Sequence, residues 1–275
     1  MQLGYCNSLV GQNRRRNSFV GAVDEFTADL TVAWSLNRRL LASYTGPLGR
    51  VRRSSDSEQV DFYARSDGLV DKAALVTFAE GSNLFVTTAY AQFGSLDFSN
   101  ATAIYQAQIA ASGVLAEDGT GLAPKLPGPV GLVASSIERQ VVFGIDSGLI
   151  IQRYFEQAFT ASRSIYETLE DVNIWATIGN TLYFDYGGQF SGRVLASAPS
   201  GWENTWHWLR CGRDAGTQNI CVDGVELVTG SKSSSNSAGL TNLTVPYGQN
   251  TGCSECVIWS NGSNADAKEA ALMGL

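Results

Sequence analysis

The side chains of this sequence that could do acid–base or nucleophilic chemistry are a few carboxylates and a single histidine. Hydrolysis of a glycosidic bond uses two carboxylates, and Asp185 paired with Glu203 or Glu167 could supply them. Nothing in the spacing of these residues selects one pair. His207 comes without an assignable serine or cysteine nucleophile, so the expected role is a packed strand histidine. We therefore expect no catalytic residue.

The cysteines and the loop carboxylates are the candidate ligands of a metal ion in this sequence. Cys253-Ser254-Glu255-Cys256 is a lone CxxC in a chain with one histidine, so a zinc site is not expected. Asp118, Asp214 and Asp223 lie in glycine-containing loops without a calcium-ligand spacing. The sequence thus predicts no metal and no cofactor.

Disulfide pairing is not indicated by the five cysteines, which have no framework spacing. Cys211 and Cys221 could face each other across a hairpin, or they could be buried free thiols. The free-thiol interpretation is favoured, because unpaired cysteine is among the most buried residue types.

Sugar binding is the one ligand interaction that the residue types favour. Sugars stack on aromatic rings, while amides and carboxylates orient their hydroxyls. The candidates for such a site are Trp175, Asn180, Tyr183, Asp185, Tyr186 and Trp202. The competing interpretation is that the tryptophans fill a hydrophobic core.

The elements that must position these residues are mainly strands. From Trp206, the residues His207, Leu209 and Cys211 alternate with Trp208 and Arg210, and alternation returns from Thr217 to Val222. Asp214-Ala215-Gly216 between the two arms supplies turn chemistry, so the stretch predicts a β-hairpin within an antiparallel sheet. Its adjacent aromatic residues need cover on both faces, as a two-sheet sandwich provides.

The remaining pattern predicts short strands with a few helices. Helices are expected over Thr31–Tyr44, with Ala33–Ser43 as its centre, over Asp71–Phe78, and after Ser263 near the end of the chain. Ser95–Ser136 is expected to be a long surface excursion, since prolines interrupt it. Further strands are predicted at 50–53, 60–63, 84–90, 140–145, 149–155, 164–169, 174–178, 181–186, 193–196, 243–247 and 256–259.

Composition excludes some classes of function. The net charge of −7 disfavours nucleic acid as a partner. No apolar run approaches the roughly 18 residues of a membrane span, and the first residues lack the order of a signal peptide. The chain is therefore expected to be made and kept in the cytoplasm, or to be assembled into something there. We expect an N-terminal arm at 1–30, in which Arg14, Arg15 and Arg16 serve assembly, and one domain at 31–275.

Three stretches carry resemblances to known families. Ser43–Asp56 (SYTGPLGRVRRSSD), preceded by NRRLLA and continuing through Phe85–Thr88, is similar to the catalytic domain of arabinofuranosidase B-type enzymes. WHWLRCGRDAGTQNICVDGV with the later ECVIWS resembles the laminin-G-like, concanavalin-type jelly roll. The opening MQLGYCNSLV resembles uncharacterised virion proteins of tailed bacteriophages. The first two resemblances imply an all-β fold, a concanavalin-type antiparallel β-sandwich (jelly roll).

The arabinofuranosidase resemblance lacks the site that would carry activity. It implies a nucleophile within an Asp-Leu-Glu-Asn-Gly stretch, which is absent, and a Cys-Cys-Phe-Asp-Tyr-Gly element, of which Tyr183–Gly187 retains the second half. Fold likeness alone does not carry activity. We therefore expect a non-enzymatic virion structural protein, a capsid decoration or a tail or fibre component made in the host cytoplasm. Its expected partners are other virion proteins, copies of itself and host-surface glycans. The alternative is a glycoside hydrolase of arabinofuranosidase B type.

Overall fold

The computed structural model describes residues 19–274 except 120, 127–129, 159–161, 169–170, 177–179, 189–190 and 249. Its described strands form two antiparallel sheets. This confirms the predicted all-β sandwich with a few short helices.

The smaller sheet has six strands in the order β1-β18-β9-β14-β15-β16. Their bounds are β1 Leu30–Ser35, β9 Gly148–Glu156, β14 Thr205–Asp214, β15 Thr217–Val222, β16 Val225–Ser231 and β18 Thr251–Trp259. The predicted hairpin is β14 and β15, with register from Leu209↔Val222 to Asp214↔Thr217. Ala215 and Gly216 in its turn both have positive φ, as a type I′ turn requires.

The larger sheet follows the order β13-β12-β11-β10-β17-β8-β5-β4-β2-β3, with β6 and β7 attached beside β4. Its strands are β2 Gly49–Arg53, β3 Gln59–Phe62, β4 Leu84–Ala89, β5 Phe98–Ser99, β6 Ala107–Ala111, β7 Val114–Leu115, β8 Val130–Glu138, β10 Ser162–Glu167, β11 Val172–Ala176, β12 Thr181–Tyr186, β13 Arg193–Ser197 and β17 Leu240–Tyr247. The α-helices of the described chain are α1 Lys72–Ala79, α2 Arg139–Phe143 and α3 Ala265–Met273.

The main hydrophobic core lies between the sheets. Period-two alternation places Tyr154 and Leu209 of the smaller sheet and Val51 and Val86 of the larger sheet in this core. A second cluster covers the outer face of the smaller sheet, where Ile151, Trp259 and Leu272 of α3 pack together. The smaller sheet is therefore buried on both faces over much of its area.

Three sequence predictions about elements are wrong. Thr31–Tyr44 is not a helix: β1 pairs with β18, and Val32 and Trp34 join the main core while Ala33 joins the second cluster. A strand buried on both faces is apolar throughout, which imitates helical spacing. The expected strand at 140–145 is helix α2. The supposed excursion at 95–136 contains β5, β6 and β7 and runs into β8, which pairs with β17 inside the larger sheet.

Other predicted elements are confirmed. Helix α1 begins after Asp71, whose carboxylate accepts a hydrogen bond from Ala74 N at 3.0 Å. Helix α3 buries Leu272 as expected, although its N-cap is Asn264 in a left-handed conformation and no side chain caps it. Cys211, Cys221, Cys253 and Cys256 are buried free thiols; Cys6 lies outside the described residues.

The predicted N-terminal arm lies largely outside the described residues, and Arg14, Arg15 and Arg16 are among those not described. Of the part that is described, Val23 and Leu30 are buried in the cluster that contains Trp259. The domain boundary at residue 30 and the assembly role of the arginines stay predictions. Within the described chain, no helix has the length and apolar character needed to cross a membrane.

Candidate functional site

Two of the predicted sugar-binding residues lie in the interior and not on an open surface. Trp202 and Tyr186 are each 1% exposed in the core. Trp202 Nε1 donates to Glu156 Oε2 at 3.0 Å, and its ring stacks on His207 with centroids 4.8 Å apart. The Tyr186 hydroxyl donates to backbone carbonyls, including Ser147 O at 3.0 Å. Burial raises the pKa of this hydroxyl far above its usual value.

Three other members of that set lie on adjacent strands: Trp175 of β11 pairs with Tyr183 of β12, and Asp185 follows two residues later on the same face of β12. Asp185 is fully buried and accepts two hydrogen bonds from Arg193, at 2.6 and 2.8 Å. The Arg193 guanidinium lies 4.9 Å from the centroid of the Tyr183 ring. Asn180 is exposed with φ of 67°, and the Trp175 side chain is outside the described structure. Sugar binding by this set stays a prediction.

Glu167 and Glu203, the carboxylates predicted as partners of Asp185, have different surroundings. Glu167 is buried and forms an ion pair with Arg139 at 3.2 Å, in an interior network with Thr241 and Asn173. Glu203 is exposed in the loop before β14. His207 forms a 2.7 Å hydrogen bond from Nδ1 to Asp223 Oδ2, and Trp208 N donates to Asp223 Oδ1 at 2.8 Å. His207 is thus a packed strand residue, as predicted.

An open cavity of about 510 Å³ lies instead on the outer face of the smaller sheet. We call it the outer cavity. It is lined by two carboxylates, two cations, two aromatic rings and smaller groups: Ala116, Glu117, Asp118, Ala123, Lys125, Arg153, Phe155, Asn204, Thr205 and Trp206. It has the mixture of apolar walls and a few polar groups that is typical of ligand sites.

The two carboxylates of the outer cavity have different surroundings. The Asp118 side chain is 9% exposed and forms an ion pair with Arg153 at 2.7 Å. Gly121 N donates to Asp118 Oδ1 at 3.0 Å, so the turn also fixes this carboxylate. The Glu117 side chain is 40% exposed and contacts Lys72 at 2.8 Å. The cavity therefore has one held, nearly buried anion and one carboxylate at its rim.

The aromatic wall is built by neighbouring strands. Phe155 of β9 and Trp206 of β14 pair in register, and their ring centroids are 5.4 Å apart. Gly252 of β18 allows close approach here: a Cβ on it would lie 2.2 Å from Pro124 O and 2.8 Å from the Trp206 ring. The chain around Pro124 can therefore lie directly against the sheet, and its neighbours Ala123 and Lys125 form one side of the cavity.

Sequence reasoning missed this site for identifiable reasons. The sequence pattern predicts Trp206 only as a strand residue and Asp118 only as a loop carboxylate. The alternation that puts Leu209 inward also puts Trp206 outward, which was a usable signal. The approach of residues 116–125 to β9 joins positions far apart in sequence, and no local pattern encodes it.

A second polar cluster lies at the end of β14. Ser147 Oγ is 3.3 Å from both Asp214 Oδ1 and Asn261 Oδ1, and Gly262 N donates to it at 2.8 Å. Asp214 is the carboxylate that contacts Ser147 in this cluster, and none of the residues of the cluster lines the outer cavity. Among the described residues, no group of three or more metal-ligating side chains is assembled anywhere.

Comparisons with known proteins point to glycosidases. The family profile described as "Alpha-L-arabinofuranosidase B, catalytic" matches residues 27–127. A Glu→Gln mutant of a GH54 α-L-arabinofuranosidase soaked with 4-nitrophenyl α-L-arabinofuranoside has a similar fold, with a TM-score of 0.63 and 15% identity. An arabinofuranosidase complexed with arabinofuranosyl-α-1,2-xylobiose gives a TM-score of 0.61, also at 15% identity. No curated protein matches the chain.

Both structural matches cover 92% of this chain but 64% of the arabinofuranosidase chains, so the chain spans less than two thirds of their length. The expectation of a non-enzymatic virion protein, whether capsid decoration, tail or fibre, is wrong. The catalytic-domain profile and the arabinofuranosidase folds favour the glycoside hydrolase alternative instead. A bacteriophage origin has no support in these comparisons. What they establish for this chain is a glycosidase-like β-sandwich domain.

Proposed function

We propose that this protein is a glycoside hydrolase that releases terminal arabinofuranosyl residues, and that the outer cavity binds the sugar. One observation carries the location: the profile-matched segment supplies Glu117 and Asp118 to a cavity whose other wall is Phe155 and Trp206. Two carboxylates beside the scissile bond are what glycoside hydrolysis needs. Of the two rings, that of Trp206 (9% exposed) offers an apolar surface at which a furanose ring can stack, because Phe155 is buried beneath Lys125.

The surroundings of the carboxylates suggest their roles. Asp118, nearly buried and paired with Arg153, is suited to act as the nucleophile or as the electrostatic partner of the developing oxocarbenium ion. Glu117, at the rim and 40% exposed, is assigned the role of general acid and base. Arg153 then has a positioning role through Asp118.

The test is hydrolysis of 4-nitrophenyl α-L-arabinofuranoside and of arabinofuranosyl xylo-oligosaccharides by the purified chain. We expect release of arabinose. Asp118→Asn and Glu117→Gln are each expected to lower kcat/KM by about 10²–10⁴-fold, the range for loss of a positioned acid or base. Asp67→Asn is the matched control, because Asp67 is an exposed carboxylate that pairs with Arg65 and does not line the cavity.

Two results would contradict the proposal in different ways. If the wild-type chain releases no arabinose from any of these substrates, the hydrolase function is wrong. If the chain is active and Asp214→Asn abolishes activity while Asp118→Asn does not, the function stands and the site is the cluster at Ser147 and Asn261.

A further inference from the structure

A separate cavity of about 370 Å³ lies on the outer face of the larger sheet. We call it the arginine pocket. It is lined by two arginines, four hydroxyl side chains, three amides and two alanines: Arg50, Arg52, Ser57, Gln59, Thr87, Thr88, Ser99, Asn100, Ala101, Ala103 and Gln106. No carboxylate is among these lining residues. In a chain with a net charge of −7, this is a local concentration of cations and hydrogen-bonding groups.

The guanidinium of Arg52 is held in place from two sides. Arg52 Nε donates to Gln106 Oε1 at 2.9 Å, and Gln106 is 3% exposed and donates in turn to Asn100 O at 3.0 Å. The Phe85 ring lies beneath the guanidinium, with its centroid 5.1 Å away. Arg52 is therefore anchored through Nε, and its two terminal nitrogens form no hydrogen bond within the described chain.

The two arginines differ in their ionic partners. Arg50 donates to both oxygens of Asp61, at 2.7 and 3.1 Å, so its charge is compensated. No carboxylate of the described chain lies within 4.0 Å of the Arg52 guanidinium nitrogens. A guanidinium held by its Nε presents a flat pair of donors that fits a carboxylate in bidentate geometry.

We propose that the arginine pocket binds a uronate residue of an acidic glycan, with Arg52 on the sugar carboxylate. The hydroxyls and amides around it, such as Thr88, Ser99 and Gln59, match the hydroxyl groups of a sugar ring. The pocket shares no lining residue with the outer cavity and lies on the other sheet. It would thus anchor an acidic polysaccharide without occupying the proposed hydrolytic site.

The test measures binding alone, by calorimetry and by NMR chemical-shift changes, so it does not depend on hydrolysis. The probes are an oligogalacturonate, its methyl ester, a sulfated oligosaccharide and a neutral arabino-oligosaccharide. We expect the oligogalacturonate to bind with an affinity that falls with ionic strength. Arg52→Gln should weaken it by about 10- to 100-fold, the range for a charge-assisted hydrogen bond. Arg52→Lys should recover only part of this loss, because lysine lacks the fork.

Controls separate the pocket from general charge effects. Arg65→Gln removes an exposed arginine outside the pocket and should leave binding unchanged. Thr88→Val replaces the hydroxyl by a methyl group and keeps a β-branched side chain of similar volume in the strand. It should weaken binding, and it provides a test if the Arg52→Gln variant does not fold. The proposal is overturned if the wild-type chain does not bind the oligogalacturonate, if the methyl ester binds equally well, or if the Arg65 variant loses as much affinity as the Arg52 variant. Equal binding of the sulfated probe would overturn the uronate assignment in favour of a general anion site.

Discussion

Two regions of this protein place aromatic rings beside carboxylates, and only one of them is open. The interior polar layer consists of Glu156, Trp202 and His207 at one end of the main core, with the partly exposed Asp223 at its edge. There, Glu156 accepts from Trp202, and Asp223 accepts from the backbone of Trp208 and bonds to His207. In the outer cavity, by contrast, Phe155 and Trp206 border about 510 Å³ of open space together with Glu117 and Asp118.

The difference between these regions lies in what the ring faces contact. The Trp202 ring is covered by His207 and lies 6.2 Å from Tyr154, so no ligand can stack on it without unpacking the core. The Trp206 ring packs against Phe155 and lines the cavity with the 9% of its surface that is exposed. An aromatic residue beside a carboxylate is therefore informative about ligand binding only when its solvent-facing side is known.

The largest expected effect comes from removing the interior ring. Trp202→Ala should lower the free energy of unfolding by about 3–5 kcal/mol, the usual cost of truncating a buried large aromatic residue. It also leaves the Glu156 carboxylate without its indole donor in the core. Denaturant unfolding monitored by far-ultraviolet dichroism measures this loss. A cost below about 1 kcal/mol would show that the interior polar layer is not a packing element.

The sequence predicted the fold well where strands alternate. The hairpin of β14 and β15 was recognised because one face is apolar and its turn residues favour φ > 0. Strand β1 was mistaken for a helix, because Val32, Ala33 and Trp34 are buried on both faces and no alternation remains. Period-two reasoning thus fails at strands covered on both sides.

The candidate site was less predictable than the fold. Tyr186 and Trp202 have the residue types of a sugar site, yet both are fixed by interior hydrogen bonds. Asp118 and Trp206 come from segments about 90 positions apart and meet only through tertiary packing. A single sequence gives residue types and strand faces, but it does not show which loop crosses which sheet.

A smaller effect on stability is expected at Trp206, the ring that lines the outer cavity. Trp206→Ala should lower the free energy of unfolding by about 1–3 kcal/mol, because the ring packs in a small cluster with Phe155 and Ala123 beside a cavity. Its main effect should be on KM for arabinofuranosides, which we expect to rise by about 5- to 100-fold through loss of stacking. Trp206→Phe is the matched variant and should retain most of the binding. If Trp206→Ala leaves KM unchanged, the ring does not contact the substrate.

The smallest effect is expected at Asp223, and it depends on pH. Burial alone would raise the pKa of Asp223, but the hydrogen bonds with His207 and Trp208 N outweigh it and lower the pKa below the usual 3.8. The contribution of Asp223 to the free energy of unfolding is therefore fully present above the unfolded-state pKa. It is lost as pH falls through the lower folded-state pKa, because the unfolded state binds more protons in this range. Asp223→Asn should remove this part of the acid sensitivity, making the slope of stability against pH below pH 4 shallower by up to about one proton.

Glu269 provides the contrast, because burial raises the pKa of its carboxyl despite the nearby Arg210. The stability that it contributes is lost as pH rises through its folded-state pKa, so Glu269→Gln should remove a decline in stability above about pH 4.5. Urea titrations of the two variants and the wild type between pH 2.5 and 7 measure both slopes. Identical slopes for the Asp223 variant and the wild type would show that the bond to His207 does not hold this carboxylate ionised.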